Sequence, residues 1–283
     1  MPAIPQHIID DLPPGIGRVT ASRPLAGGDT CAAWRLDTPR GAFFLKLPPA
    51  GAATMTQAES VGLRALGATH TVRVPQVLAA GGGYLLLEHI AAGAPADGYW
   101  CTLARQLARL HGTAQPGFGF VQDNYCGRSQ QPNPPMPDGY RFFAECRLLL
   151  QAERAARQGR LQAWHLRAVE SICARLEQLV PPQEPALLHG DLWSGNHFAA
   201  ADGQPVVVDP ACYWGWPEAD LAMMVLFGRP PAAFFARYLE HRPLPAGWQQ
   251  RFELYNLYHL MNHLNLFGDS YRAGVEDVLR RFG

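Results

Sequence analysis

Asp191, Asn196 and Asp209 are the residues whose types and spacing best suit chemistry. Asp191 and Asn196 share the polar, glycine-containing loop His189-Gly190-Asp191-Leu192-Trp193-Ser194-Gly195-Asn196, and Asp209 closes the apolar run Val206-Val207-Val208. Between them Asp202-Gly203 is a hairpin turn signal, so residues 197–200 and 204–208 are expected to pair and return Asp209 to the loop. Two carboxylates and an amide then meet, all hard oxygen donors suited to Mg²⁺. Phosphoryl transfer needs such a set: one carboxylate (Asp191) to orient a hydroxyl and take its proton, an amide and a second carboxylate (Asn196, Asp209) to hold Mg²⁺ on the phosphates. An Asp/Asn/Gly loop beside a hairpin is also a common structural feature, so its weight depends on partners elsewhere in the chain.

The elements that would position those partners come first in the sequence. Residues 19–25, 31–36 and 42–47 read as a three-strand meander, with Gly27-Gly28-Asp29-Thr30 at its first turn and Lys46 near its end. Glycines there let backbone N–H groups approach phosphates closely, although a Gly-Gly turn is often purely structural. Lys46 is the only lysine in the chain, the other basic residues being arginines. An ammonium at that strand end is expected to hold phosphates; the alternative is an exposed surface lysine. Met55, Ala58, Val61 and Leu66 recur at helical spacing and place Glu59 on a helix, where it either pairs with Lys46 or stays on the surface. Tyr84-Leu85-Leu86-Leu87 is an apolar strand followed by Glu88, His89 and Ile90, read as a hinge whose backbone meets a nucleotide base. Helices are then expected over 99–111, 140–159, 161–179, 234–240 and 248–267. The last carries His259 and His263 one turn apart, which fits a zinc pair, a polar wall facing a sugar, or ordinary packing. Asp220 reads as a helix N-cap or as a buried support for the loop backbone, the latter favoured.

A chain of 283 residues suits two lobes better than one core. Its formal net charge is zero and no basic stripe stands out, which argues against nucleic acid or an anionic membrane as partner. The N-terminus lacks the basic and apolar regions of a signal peptide, and no apolar run is long enough to span a bilayer, so a cytoplasmic location is expected. Cys31, Cys101, Cys126, Cys146, Cys173 and Cys212 are scattered without Cys-x-x-Cys pairing, which reads as reduced thiols.

The Asp-x-x-x-x-Asn spacing is that of a protein-kinase catalytic loop, with His-Gly-Asp for His-Arg-Asp and Asp-Pro-Ala for Asp-Phe-Gly. This variant resembles small-molecule kinases such as the aminoglycoside and choline phosphotransferases. Over nearly the whole chain the residues resemble more closely the fructosamine kinase family, including the fructosamine-3-kinase-related proteins. The resemblance runs through Phe44-x-Lys46, Glu59-x-x-Gly62, Phe118-Gly119-Phe120, Phe142-Phe143-x-Glu145-x-Arg147, Glu218-x-Asp220 and Asn262-His263-Leu264-Asn265, and Trp193 inside the loop is its most specific element. It implies an α+β, bilobal protein-kinase-like fold with an antiparallel-sheet N-lobe (1–90), a hinge about 88–98 and a mainly helical C-lobe (91–283). It also implies ATP- and Mg²⁺-dependent phosphorylation of the third sugar hydroxyl of ketosamines, free or protein-bound, after which the product breaks down and releases the amine. In that frame Gly27, Gly28, Asp29, Thr30, Lys46, Glu59, Glu88, His89 and Ile90 bind ATP, and Trp193, His263 and Trp216 meet the acceptor. The chain departs from the family where Gly215-Trp216-Pro217-Glu218 replaces Gly-His-Arg-Glu, and substrate preference is expected to feel this. Alternative readings are an aminoglycoside-type kinase, which would want a dense acidic wall, and a nucleotide-binding pseudokinase. A monomer is expected, with a redox-linked dimer through Cys31 as a further hypothesis.

Overall fold

The computed structural model describes residues 4–25, 30–81, 83–113, 115 and 117–283. After a short helix α1 (Gln6–Asp11) come β1 (Ala21–Leu25), β2 (Ala32–Thr38), β3 (Gly41–Leu47), helix α2 (Ala53–Ala68), β4 (Val77–Gly81) and β5 (Tyr84–Glu88). These strands form one antiparallel sheet in the order β1-β2-β3-β5-β4. The turn at Pro39-Arg40 sets the β2–β3 register, Thr38 facing Gly41 and Ala33 facing Lys46. β5 is an interior strand, between β3 and β4, and its apolar run serves both faces of the sheet. Leu86 packs with Trp34, Leu36, Leu45 and Ile8 on one side, whereas Leu85 and Leu87 meet Leu63 of α2 on the other. A strand buried on both faces has no polar alternation to show.

The remainder is mainly helical: α3 (Tyr99–Leu110), α4 (Gly139–Phe143), α5 (Leu150–Arg157), α6 (Ala163–Ala174), α7 (Leu176–Leu179), α8 (Glu218–Leu226), α9 (Ala232–His241), α10 (Trp248–Phe267) and α11 (Arg272–Phe282). Three small antiparallel pairs lie among them. β6 (Asn124–Cys126) pairs with β7 (Ser129–Gln131), β8 (Ala186–Leu188) with β11 (Tyr213–Gly215), and β9 (His197–Ala199) with β10 (Pro205–Val207). Helix α10 is the axis, burying Leu254, Leu257, Met261 and Leu264 against α5, α8 and α11. α4 and α5 are one rod joined by a π-helical stretch at Ala144–Leu149. That stretch buries Arg147 completely. Its guanidinium sits 4.1 Å from the Tyr213 ring centre and 4.6 Å from that of Phe142, and it donates to Pro132 O and Asn133 Oδ1. Cation–π and carbonyl contacts stand in for water here. Among the described residues no helix is long and apolar enough to cross a membrane.

The α+β bilobal expectation holds, and the antiparallel meander, α2, α3 and α10 fall where the sequence places them. α11, absent from the sequence reading, closes the chain against α6 and α10.

Candidate active site

A cleft of about 280 Å³ opens between the sheet and the helices, lined from one side by Thr30, Cys31, Lys46 and Glu59 and from the other by Asp191, Asn196 and Asp209. Lys46 stands near the end of β3 with its ammonium buried. Its Nζ lies 2.8 Å from Glu59 Oε2 and 2.9 Å from Asp209 Oδ1. Burial works against the charge on Lys46, but the Asp209 and Glu59 carboxylates outweigh it and raise its pKa. Burial pushes the Glu59 carboxyl upward, opposed by Lys46. Helix α2 comes close enough to place Glu59 because it carries Gly62: a Cβ there would lie 3.3 Å from both Cys212 Sγ and Pro210 Cγ of the Asp209 segment.

The β9–β10 hairpin turns at Gly203, with φ +75°, as its Asp-Gly turn requires. It carries the chain from Asn196 back to Asp209, and Val208 N donates to Asn196 O at 3.0 Å. Asp209 itself sits at φ 55°, a left-handed conformation that Asp adopts more readily than most residues. Within the loop, the Asp220 carboxylate accepts from His189 N (2.7 Å) and Gly190 N (2.8 Å). Burial alone would raise Asp220, yet the hydrogen bonds from His111 and Gly190 and the neighbouring histidines hold its pKa below the usual value. The supporting role expected of Asp220 is therefore observed. Its N-cap role is not, because α8 starts at Glu218 with Pro217 as its cap. His189 is neutral, burial lowering its pKa; Nδ1 accepts from Asp191 N and Nε2–H donates to Val208 O. Gly190 has φ +82°, and a Cβ there would run into the Ala211 carbonyl oxygen. This explains His-Gly-Asp where other kinases carry arginine.

Asn196 Nδ2 donates to Asp191 O at 2.8 Å and to Asp191 Oδ2 at 3.3 Å. Its amide oxygen is left for another partner. Burial, then the negative charges of Asp209 and Asp220, push Asp191 up to about 7 against the Asn196 hydrogen bond. A carboxylate poised near neutrality, in a cleft, is what a general base requires. The oxygens of Asn196 and Asp209 make a donor set that fits a hard divalent cation.

The far wall of the cleft is aromatic: Trp193, Phe227, His263, Phe267 and Tyr271. Phe227 lies 4.9 Å from His263 and 6.2 Å from Trp193, ring centre to ring centre, and His263 lies 5.0 Å from Tyr271. The structure thus brings Trp193 and His263 into one wall of the same cleft. Trp216 is a correction: it is 4% exposed and packs on Phe118, Tyr140, Phe143 and Tyr255, away from the cleft lining. Its large apolar ring is worth more in the core than at a polar wall. Nor do His259 and His263 converge as a pair, since the His263 ring nitrogen Nδ1 donates to the His259 carbonyl at 2.7 Å. Glu88 ends β5 and His89 and Ile90 follow it, and none of the three lines the cleft. Gly27, Gly28 and Asp29 lie outside the described residues. Cys31 lines the cleft and is buried, and burial raises its thiol pKa.

Sequence reasoning missed a buried polar network under the site. Tyr258 Oη donates to Gln131 Oε1 (2.7 Å), Gln131 Nε2 donates to Asn124 Oδ1 (2.8 Å) and Ala211 O (3.1 Å), and Asn124 Nδ2 donates to Cys212 O (2.6 Å). It ties the β6–β7 pair and α10 to the segment after Asp209. The amides in Asp123-Asn124 and Gln131-x-Asn133 were its only sequence signal.

An antiparallel lobe offering a lysine–glutamate pair to a helical lobe with this catalytic loop is a phosphotransferase of the protein-kinase-like class. The 2″-aminoglycoside phosphotransferase IIa, solved with gentamicin, has that fold, with TM-score 0.68 at 15% identity over 100% of this chain and 97% of its own. The particular family is given by closer relatives. The fructosamine kinase family model matches residues 3–282, and the chain belongs to that family. It is 40% identical over 273 residues to a candidate ketoamine kinase of Synechocystis sp., covering 93% of this chain and 90% of the relative. It is 36% identical over 277 residues to the chloroplastic protein-ribulosamine 3-kinase of Arabidopsis thaliana, covering 93% and 84%. A crystal structure of a candidate fructosamine-3-kinase from Thermobifida fusca superposes with TM-score 0.86 at 34% identity, covering 93% of each chain.

Proposed function

We propose that the protein is an ATP- and Mg²⁺-dependent kinase that phosphorylates a sugar hydroxyl of ketosamines, small or protein-bound. The observation that carries the reading is Asp191, raised to about 7, standing between the Lys46–Glu59–Asp209 cluster and the aromatic wall. The acceptor hydroxyl oxygen forms a bond to the γ-phosphorus as the bond to the bridging oxygen breaks and ADP departs. Asp191 orients that hydroxyl and takes its proton. Lys46 holds the phosphates, with Glu59 fixing the ammonium. Asn196 and Asp209 would hold Mg²⁺, which when bound neutralises charge on the phosphate oxygens. The base of the nucleotide would extend past the cleft lining toward the backbone at the end of β5, residues 88–90. Trp193 and His263, with Phe227 and Tyr271, give the sugar an aromatic face to stack on.

The composition of the wall favours a ketosamine over an aminoglycoside. The carboxylates lining the cleft are Glu59, Asp191 and Asp209, all engaged at the phosphoryl site, and the acceptor side presents rings. A polycation would want acids there. ADP release measured with ribulosamine, fructosamine and an aminoglycoside panel tests the reading. Turnover with a ketosamine and background rates with aminoglycosides are expected; no ADP release with either ketosamine overturns it.

A further inference from the structure

Among the described residues, Cys126, Asp191 and His259 are the group of three whose Cys, His and carboxylate ligand atoms all lie within 4.8 Å of one another. They arrive from three separate elements: the end of β6, the catalytic loop and the middle of α10. Phosphoryl transfer as described above uses only Asp191. Cys126 and His259 are buried, at 2% and 4% exposure, yet the thiol also reaches the cleft lining. Cys126 Sγ lies 3.9 Å from His259 Nδ1. A tetrahedral cation with metal–sulfur and metal–nitrogen bonds of about 2.3 and 2.0 Å needs a sulfur–nitrogen separation of about 3.5 Å, close to the one observed, and the Asp191 carboxylate, within 4.8 Å of both, closes the third side by a side-chain rotation. The backbone around the pair is pinned, since Asn262 Nδ2 donates to Cys126 O at 3.2 Å and so ties β6 to α10.

One sulfur, one imidazole nitrogen and one carboxylate oxygen are a different donor set from the oxygens of Asn196 and Asp209. Thiolate and imidazole favour Zn²⁺ and its neighbours over Mg²⁺. We propose that Cys126, Asp191 and His259 form a second metal site, for a zinc-class cation entering from the cleft, and that its occupancy switches the enzyme off by withdrawing the Asp191 carboxylate from the acceptor. On binding, the thiol proton passes to solvent and the three side chains each give a lone pair, so nothing is oxidised or reduced. The fourth position stays open toward the cleft. Metal binding stands on this geometry alone, and only the inhibitory consequence rests on the kinase reading.

The test uses the full chain in two arms. In the first, chelator-treated protein is titrated with Co²⁺ and followed by absorbance. One Co²⁺ per chain is expected, with a thiolate-to-cobalt charge-transfer band and the intense visible bands of a tetrahedral ion. Cys126→Ser loses the charge-transfer band, whereas Cys31→Ser, altering the other cleft thiol, keeps it. In the second arm, ADP release with the best ketosamine is measured at fixed Mg²⁺ and ATP while Zn²⁺ is added. Zn²⁺ inhibits the wild type and a zinc-selective chelator restores it. Cys126→Ser and His259→Gln keep their turnover without Zn²⁺ but need at least about tenfold more Zn²⁺ for half inhibition. No charge-transfer band in the wild type, or equal Zn²⁺ sensitivity in all three proteins, overturns the proposal. A Cys126-dependent cobalt spectrum in a protein that phosphorylates no ketosamine would overturn the kinase reading and leave the metal site standing.

Discussion

Lys46 Nζ lies 2.9 Å from Asp209 Oδ1, joining the sheet to the catalytic segment across the cleft, while Glu59 holds the same ammonium from α2 at 2.8 Å. One cation thus balances two carboxylates from opposite sides of the site. Lys46→Ala leaves those carboxylates facing each other. Breaking a fully buried pair costs about 3–5 kcal/mol; the Asp209 side chain is 40% exposed, so a smaller loss, of order 1–3 kcal/mol, is expected. The catalytic loss should be larger, at least about a hundredfold in kcat/KM for ATP, since a phosphate ligand is removed. Lys46→Arg should not restore activity, because a planar fork does not replace a point charge between two carboxylates. Thermal unfolding and ADP-release kinetics read the two effects separately, and wild-type kcat/KM for ATP in Lys46→Arg would refute the assignment.

Asp191 offers a case in which activity and stability move in opposite directions. Its pKa of about 7 in the folded protein stands above the ordinary carboxylate value of 3.8, chiefly through burial. The native state therefore binds the extra proton between those values, and wild-type stability falls as pH rises through that window, with the full cost above about 7. Asp191→Asn removes the cost. It should be more stable than wild type by about 2–4 kcal/mol at pH 8 and by only about half a kcal/mol at pH 4. Its turnover should fall by about a hundredfold or more with ATP binding retained. In the wild type, kcat/KM for the acceptor should rise with pH around a midpoint near 7. Denaturant titrations at the two pH values, beside rate profiles, check both; a variant less stable than wild type at pH 8 would contradict the buried-charge account.

The catalytic constellation was readable because its parts are local or periodic. Asp191 to Asn196 is one loop, Asp202-Gly203 dictates the return to Asp209, and Lys46 and Glu59 sit on a strand and a helix with clear apolar faces. What was not readable depends on contacts between distant segments. Trp216 goes to the acceptor only by the family resemblance, standing where Gly-His-Arg-Glu is expected, and nothing local separates an aromatic that enters the core from one that lines a cleft. Phe227, just after α8, and Tyr271, just after α10, meet in the same cleft wall only because those two helices pack together. Arg147 is fully buried by rings from β11 and α10, where hydropathy would put an arginine in water.

Asp220 anchors the loop through two backbone N–H groups while accepting from His111 Nε2 at 3.2 Å. An amide cannot reproduce this. In Asp220→Asn one oxygen can still accept, but the NH₂ group faces a backbone N–H and leaves a buried donor unpaired, costing about 1–3 kcal/mol. The loop then loses its fixed position, so kcat should fall while KM for ATP stays nearly constant. Unfolding midpoints with steady-state kinetics are the measurement, and an unchanged kcat would show that the anchor does not set catalytic geometry.

The two tryptophans at residues 193 and 216 should separate cleanly under the same substitution. Trp193 is 38% exposed and touches Phe227 edge-on at 6.2 Å, so little burial is lost when it is truncated. Trp193→Ala should leave the unfolding temperature almost unchanged and raise KM for the acceptor by about tenfold, the worth of one aromatic contact. Trp216 is ringed by Phe118, Tyr140, Phe143 and Tyr255. Trp216→Ala should cost about 3–5 kcal/mol through the cavity it leaves, and Trp216→Phe less. Protein that remains folded in the Trp216→Phe variant should keep a wild-type acceptor KM. If Trp216→Phe instead shifts the preference between ribulosamine and fructosamine without a loss of stability, the core assignment fails and this tryptophan belongs to substrate selection after all.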